Sequence, residues 1–169
     1  MNIPPPPKPP KNNLAINLIA AFVVLMVFVG VVMVSCSDGR PSGPSFQTKN
    51  MVLMRNGKIV QKLKVEVAET PDQWAFGLMF RHEMKSDHGM LFVYPELREI
   101  EMWMKNTFIP LDMIFFDSHK KVVAIMPNQQ PKSVETINPG VKSRYVLEVN
   151  AGLTTVWNLQ HGDYFMMLD

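Results

Sequence analysis

Residues 14–34, LAINLIAAFVVLMVFVGVVMV, run for 21 positions without a charge, and Asn17 is their only strongly polar side chain. At the helical rise such a segment spans about 30 Å, the thickness of a bilayer's hydrocarbon core. It reads as a membrane segment and divides the chain. Before it, MNIPPPPKPPKNN (1–13) carries six prolines and two lysines, which makes a short, exposed, cationic tail that cannot form a helix. Lys8 and Lys11 favour a cytoplasmic N-terminus by the positive-inside rule, so everything after residue 36 is expected outside the cytoplasm.

Two versions of the segment stand side by side. In one it is an uncleaved transmembrane helix. In the other it is the signal peptide of a bacterial lipoprotein, because Met33-Val34-Ser35-Cys36 resembles a lipobox and Cys36 would be the lipidation site. Both place the following domain on the periplasmic or extracellular face of a bacterial membrane, where a multiply acylated Cys36 would hold firmly. SDGRPSGPSFQTKN (37–50) has no apolar period and reads as a flexible linker. Residues 51–169 then form one globular unit of ordinary size.

The charge of that unit excludes one class of partner. Lys8 and Lys11 account for the whole excess of 17 basic over 15 acidic residues, so residues 37–169 are formally neutral. A nucleic-acid surface needs a basic patch to displace counterions, and no nucleic acid is expected. A single cysteine excludes an intramolecular disulfide and a thiolate zinc site. The 14 methionines read first as adaptable core filling.

Turn chemistry sets the fold class. Asn56-Gly57 between MVLMR and KIVQKLKVEVA is a strong hairpin signal, and Leu63, Val65 and Val67 alternate with Lys62, Lys64 and Glu66. Thr70-Pro71-Asp72-Gln73 predicts an N-cap and the start of one short helix. Short apolar runs follow at 89–94, 99–105, 112–117, 121–126, 143–151 and after Gly162-Asp163, with a hairpin loop at 117–120. The expectation is a mainly β domain, an antiparallel β-sandwich or barrel, jelly-roll-like, with one helix.

Familiar catalytic signatures are missing: no glycine-rich phosphate loop, no nucleophile elbow, no zinc-protease motif. No cofactor is implied. His82 and His88 flank a charged loop with Glu83 and Asp87, without a known metal-ligand spacing. His88, Met90, Met102 and Met104 form a second candidate set, suited to a soft copper ion or simply to the core. The stretch MWMKNTFIPLDMIFF (102–116) places Lys105, Asn106, Thr107 and Asp112 inside an apolar run. A structural reading pairs Lys105 with Asp112, or with a backbone carbonyl, at a strand–turn–strand corner. A functional reading makes Trp103 a flat platform and lets Lys105, Asn106 and Asp112 converge on a ligand.

Gly77-Leu78-Met79-Phe80-Arg81, His88-Gly89-Met90-Leu91-Phe92, Trp103-Met104-Lys105-Asn106-Thr107 with Ile109-Pro110-Leu111-Asp112, Tyr145-Val146-Leu147-Glu148 with Gly152, and Gly162-Asp163 follow one another in the chain. In that order they resemble the bacterial and archaeal family called domain of unknown function 192 (DUF192). The resemblance implies a compact, mainly β domain often found behind a signal peptide or anchor, and it brings no established reaction. It marks Arg81, His88, Trp103, Lys105, Asn106, Thr107, Asp112 and Glu148 as candidate ligand-binding positions. Where the family commonly has a basic residue before Gly-Leu-Met, this chain has Trp74-Ala75-Phe76.

Three functions are weighed on these residues. The first is a membrane-tethered binding or accessory domain for a cell-envelope component or small ligand. The second is an envelope enzyme using Asp112, Glu148 or His88 as acid or base, which needs two of them in one cleft. The third is copper or other metal handling.

Overall fold

A computed structural model of the chain describes residues 43–168. The expected cationic tail, the membrane segment, Cys36 and the first six residues of the linker (37–42) lie outside the described residues. Among the described residues no helix is long and apolar enough to cross a membrane.

Asn56 and Gly57 take φ values of 48° and 74°, the left-handed pair that a type I′ turn requires. They join β1 (Gln47–Arg55) to β2 (Lys58–Ala68) in an antiparallel pair running from Gln47↔Val67 to Arg55↔Lys58. Leu63, Val65 and Val67 are buried as the alternation requires. Thr70 caps helix α1 (Pro71–Phe76) with a full capping box, its hydroxyl accepting from Gln73 N while Gln73 Oε1 accepts from Thr70 N. Gly77 closes the helix at φ 48°.

The chain continues through β3 (His88–Glu99), β4 (Leu111–Phe116), β5 (Val122–Gln129), β6 (Lys142–Asn150), a one-turn helix α2 (Leu153–Val156) and β7 (Tyr164–Leu168). The sheet order is β5-β4-β6-β3-β2-β1-β7. The domain is therefore mainly β with two short helices, where one was expected. Pairing is antiparallel except between β2 and β3, which run parallel from Lys64↔His88 to Ala68↔Phe92. Parallel neighbours need a crossover, and residues 69–87 with α1 supply it. At the edges, Lys121 bridges Tyr164, Val122 N donates to Asp163 O (2.7 Å) and Phe165 N donates to Lys120 O (3.1 Å). These bonds draw the start of β7 against the start of β5, so the two edges of the sheet meet at one end, as in a partly closed barrel.

Both faces of the sheet are packed. Met51, Leu53, Val65, Leu91, Ile114, Phe116, Leu147 and Phe165 fill one side. Met90, Phe92, Met113, Phe115 and Val146 fill the other, where the crossover and residues 100–110 cover them. The expected strand at 99–105 is a loop: β3 ends at Glu99, and only Met102 pairs, with Ile137. Its alternation survives because Ile100, Met102 and Met104 turn into the core while Glu101, Trp103 and Lys105 are exposed. Asn106 at φ 57° then turns the chain away from any ladder. The linker is also shorter on its domain side than expected. Phe46 packs on the core and Gln73 Nε2 donates to Ser45 O (2.8 Å), so the chain is docked on α1 before β1 begins.

Candidate functional site

Between α1, its following turn, β3 and the 101–107 loop lies a cleft of about 200 Å³. Three local features shape it. Trp74, in the middle of α1, donates from Nε1 to Ala68 O (3.0 Å) and stacks on Tyr94 with ring centroids 4.8 Å apart. Gly77 lets the turn pass close to Phe92, whose ring would lie 3.1 Å from a Cβ at this position. In the 101–107 loop, inward Met102 and Met104 force Trp103 outward, where it is 50% exposed. Trp103, Lys105 and Thr107 all line the cleft. Thr107 is buried, and its backbone joins Met104 O and Lys132 N.

Glu148 reaches the cleft from β6 and is 3% exposed. Its cross-strand neighbours are Met90 on β3 and Met113 on β4, so no polar group flanks it on the ladder. Among the described residues its carboxyl makes no side-chain hydrogen bond and no ion pair. Lys105 lines the same cleft without closing a salt bridge to it. Burial alone pushes the Glu148 carboxyl up to about 8. Tyr94, whose hydroxyl donates to Met102 Sδ (3.7 Å), is pushed up to about 12, first by burial and then by the charge Glu148 would carry.

The other marked residues stand elsewhere. Arg81 forms an ion pair with Glu66. His88 Nδ1 lies 2.7 Å from Asp87 Oδ1, and this bond holds Asp87 below its ordinary value. Asn106 shapes the loop rather than the cleft: its carbonyl accepts from Phe80 N (2.7 Å) and its amide approaches Met79 Sδ (3.8 Å). Asp112 is wholly buried on the opposite face of the sheet, in step with Ile114 and Phe116. It accepts from Asn128 N (2.9 Å), Thr154 N (3.0 Å) and Thr154 Oγ1 (2.6 Å). The expected Lys105–Asp112 pair is thus corrected: the two side chains serve different faces, and Asp112 is satisfied by β5 and α2.

Asp112, Glu148 and His88 therefore do not share one cleft. Met90, Met102 and Met104 are all buried in the core layer beneath the loop. Among the described residues, no group of three His, Cys, Asp or Glu side chains is placed to hold a metal. The sequence reading missed Trp74, Tyr94 and Glu101 as cleft residues. Glu101 shares the outward parity of Trp103, and Tyr94 shares that of Phe92, which were the available signals.

Comparison with known proteins places this geometry in a wider set. Residues 51–167 match the DUF192 family, described as "Uncharacterized ACR". No curated protein matches the chain. A solved Sinorhizobium meliloti 1021 protein, proposed to be a transcription regulator, is 38% identical over 75% of this chain and 98% of its own, with a TM-score of 0.71. A solved protein of unknown function from Novosphingobium aromaticivorans DSM 12444 is 28% identical over 76% of this chain and 93% of its own, with a TM-score of 0.68. The chain belongs to the DUF192 family.

Proposed function

We propose that this DUF192 domain is a binding domain of the bacterial cell envelope, held at a membrane face by residues 14–36. It would take a small ligand, or an exposed group of an envelope component, in the cleft between α1 and the 101–107 loop. The observation that carries this reading is Glu148, a buried carboxyl lining an aromatic cleft without a protein partner. Its oxygens are reached from the cleft, since the buried side-chain atom left without a partner among the described residues is Ser143 Oγ, and a carboxyl so placed is open to a partner from outside. Trp103 adds an exposed flat surface at the rim. The uncharged run of residues 14–34, followed by Cys36, supports the envelope reading.

The enzymatic reading is less supported, because Asp112 is consumed by three hydrogen bonds and His88 by Asp87. The test is titration of the full chain in detergent with saccharides released from bacterial envelopes, read by tryptophan fluorescence. A saturable change that disappears in Trp103→Ala and in Glu148→Leu is expected; no saturable change with any fragment would overturn the proposal. Membrane fractionation of the full chain and of a chain lacking 14–34 tests the tether.

A further inference from the structure

We infer that Glu148 binds as a neutral carboxylic acid, and that the group it takes is an uncharged one offering a hydrogen-bond acceptor and a donor on the same edge, such as a primary amide. This rests on the binding reading above and specifies its chemistry. A carboxylic acid presents one O–H donor and one carbonyl acceptor on the same edge. A primary amide presents the complement, with one N–H on the same edge as its oxygen, so the two close a paired arrangement: the acid O–H donates to the amide oxygen while the amide N–H donates to the acid carbonyl. No proton changes owner and no charge is buried.

The geometry favours this over a cationic guest. The two ladder neighbours of Glu148, Met90 and Met113, are uncharged. The titratable groups lining the cleft with it are Tyr94, Glu101 and Lys105. Tyr94 stays neutral in the physiological range and is turned to Met102. Lys105 is near enough to line the same cleft, yet its ammonium does not pair with the carboxyl. A site built to hold an ionised carboxylate would supply charge or donors around it, since an isolated buried charge is the costlier state. Here the walls are instead Trp74, Phe76, Phe92, Tyr94 and Trp103, which suit the apolar substituent of a primary amide, such as the methyl of acetamide. The upward displacement of the Glu148 carboxyl, to about 8, agrees with the neutral form.

The two kinds of guest give opposite pH slopes. A guest of the neutral acid binds evenly up to pH about 8 and then weakens about tenfold per pH unit, because binding must recover a proton. A cation requires the carboxylate, so its affinity climbs about tenfold per unit toward pH 8 and then levels. The experiment is an NMR titration of the full chain in detergent micelles, using acetamide as the neutral probe and methylammonium as the cationic one, followed at the Trp74 and Trp103 indole N–H signals. Acetamide binding with loss above pH 8, retained in Glu148→Gln and reduced at least about tenfold in Glu148→Leu, is the expected result. Glutamine keeps one donor and one acceptor, so it should also remove the pH dependence. Methylammonium binding that strengthens toward pH 8 and fails in Glu148→Gln would overturn this inference and leave the binding reading standing. Neither probe perturbing the cleft would overturn both.

Discussion

Asp112 and Thr154 are joined by a pair of hydrogen bonds in the buried part of the domain. The Asp112 carboxylate accepts from both the backbone N–H and the hydroxyl of Thr154, at 3.0 and 2.6 Å. With the bond from Asn128 N, this ties β4 to β5 and to the one-turn helix α2. Asp112→Ala would leave three donors unanswered at a wholly buried position, each costing about 1–3 kcal/mol. The expected loss is at least about 3 kcal/mol, read from the midpoint of urea unfolding. A change within about 0.5 kcal/mol, the range of ordinary surface substitutions, would contradict this structural role.

Trp103→Ala should separate binding from stability. The side chain is half exposed, so its removal is expected to change the unfolding free energy by no more than about 0.5 kcal/mol. The same substitution should abolish the ligand-dependent fluorescence change of the cleft. A large drop in stability would place Trp103 in the core of the fold instead.

Gly89→Ala tests how closely β3 approaches β6. A Cβ at this position would lie 2.6 Å from the backbone oxygen of Glu148, in contact with backbone that cannot rotate away. Overpacking of this kind costs about 1–3 kcal/mol. Because the displaced strand carries Glu148, the variant should also shift the cleft signals in an NMR spectrum. A variant as stable as the wild type would show that the strands can separate freely.

Glu148 predicts a dependence of stability on pH with an unusual sign. Its carboxyl rises from an ordinary 4.5 to about 8 in the folded protein. Between those values the folded state holds a proton that the unfolded state has released, so stability is greatest below pH 4.5 on this account and falls as pH rises toward 8. At about 1.4 kcal/mol per unit, this one group withdraws several kcal/mol across the interval. Glu148→Gln removes the slope, so the difference between the two unfolding curves should widen from pH 5 to 8 in favour of the variant. Parallel curves would show that the carboxyl has found a partner.

Asp163 supplies the opposite slope. Burial pushes its carboxyl up, but the hydrogen bonds from Arg55 Nε and Nη2 (2.8 and 2.6 Å) and Gln160 N, with the guanidinium charge, outweigh this and hold it below its ordinary value. Its stabilisation is present above the unfolded-state value and is lost as pH falls through the folded one. Since Asp163 sits where β7 meets β5, Asp163→Asn should loosen that closure. Faster amide exchange at Val122 and Phe165 is the expected readout, and unchanged exchange would contradict it.

The hairpin at Asn56-Gly57 and the box at Thr70–Gln73 were legible because both depend on a few adjacent residues. The parallel β2–β3 pair was not, since strand alternation fixes a buried face and leaves the direction of the partner open. Residues 99–105 alternate like a strand because they bury one side, yet their backbone groups bond to the loop at Ser133 and Ile137. The site shows the same limit. Asp112 and Glu148 both stand in apolar strands, and β4 is buried on both faces, so parity could not separate them. What separates them is Thr154, 42 positions beyond Asp112, which satisfies one carboxylate and leaves the other free. Trp103, Lys105, Thr107 and Glu148 line one cleft, whereas Arg81, His88, Asn106 and Asp112 are placed in other structural contacts.

The proposed neutral Glu148 carboxyl, open to an external group, can be observed without any substitution. Its side-chain carboxyl carbon, followed by carbon NMR through a pH titration with and without saturating acetamide, reports this directly. A midpoint of about 8 is expected in the free protein, moving higher when the ligand holds the protonated form. A midpoint near the ordinary 4.5, unmoved by acetamide, would contradict it.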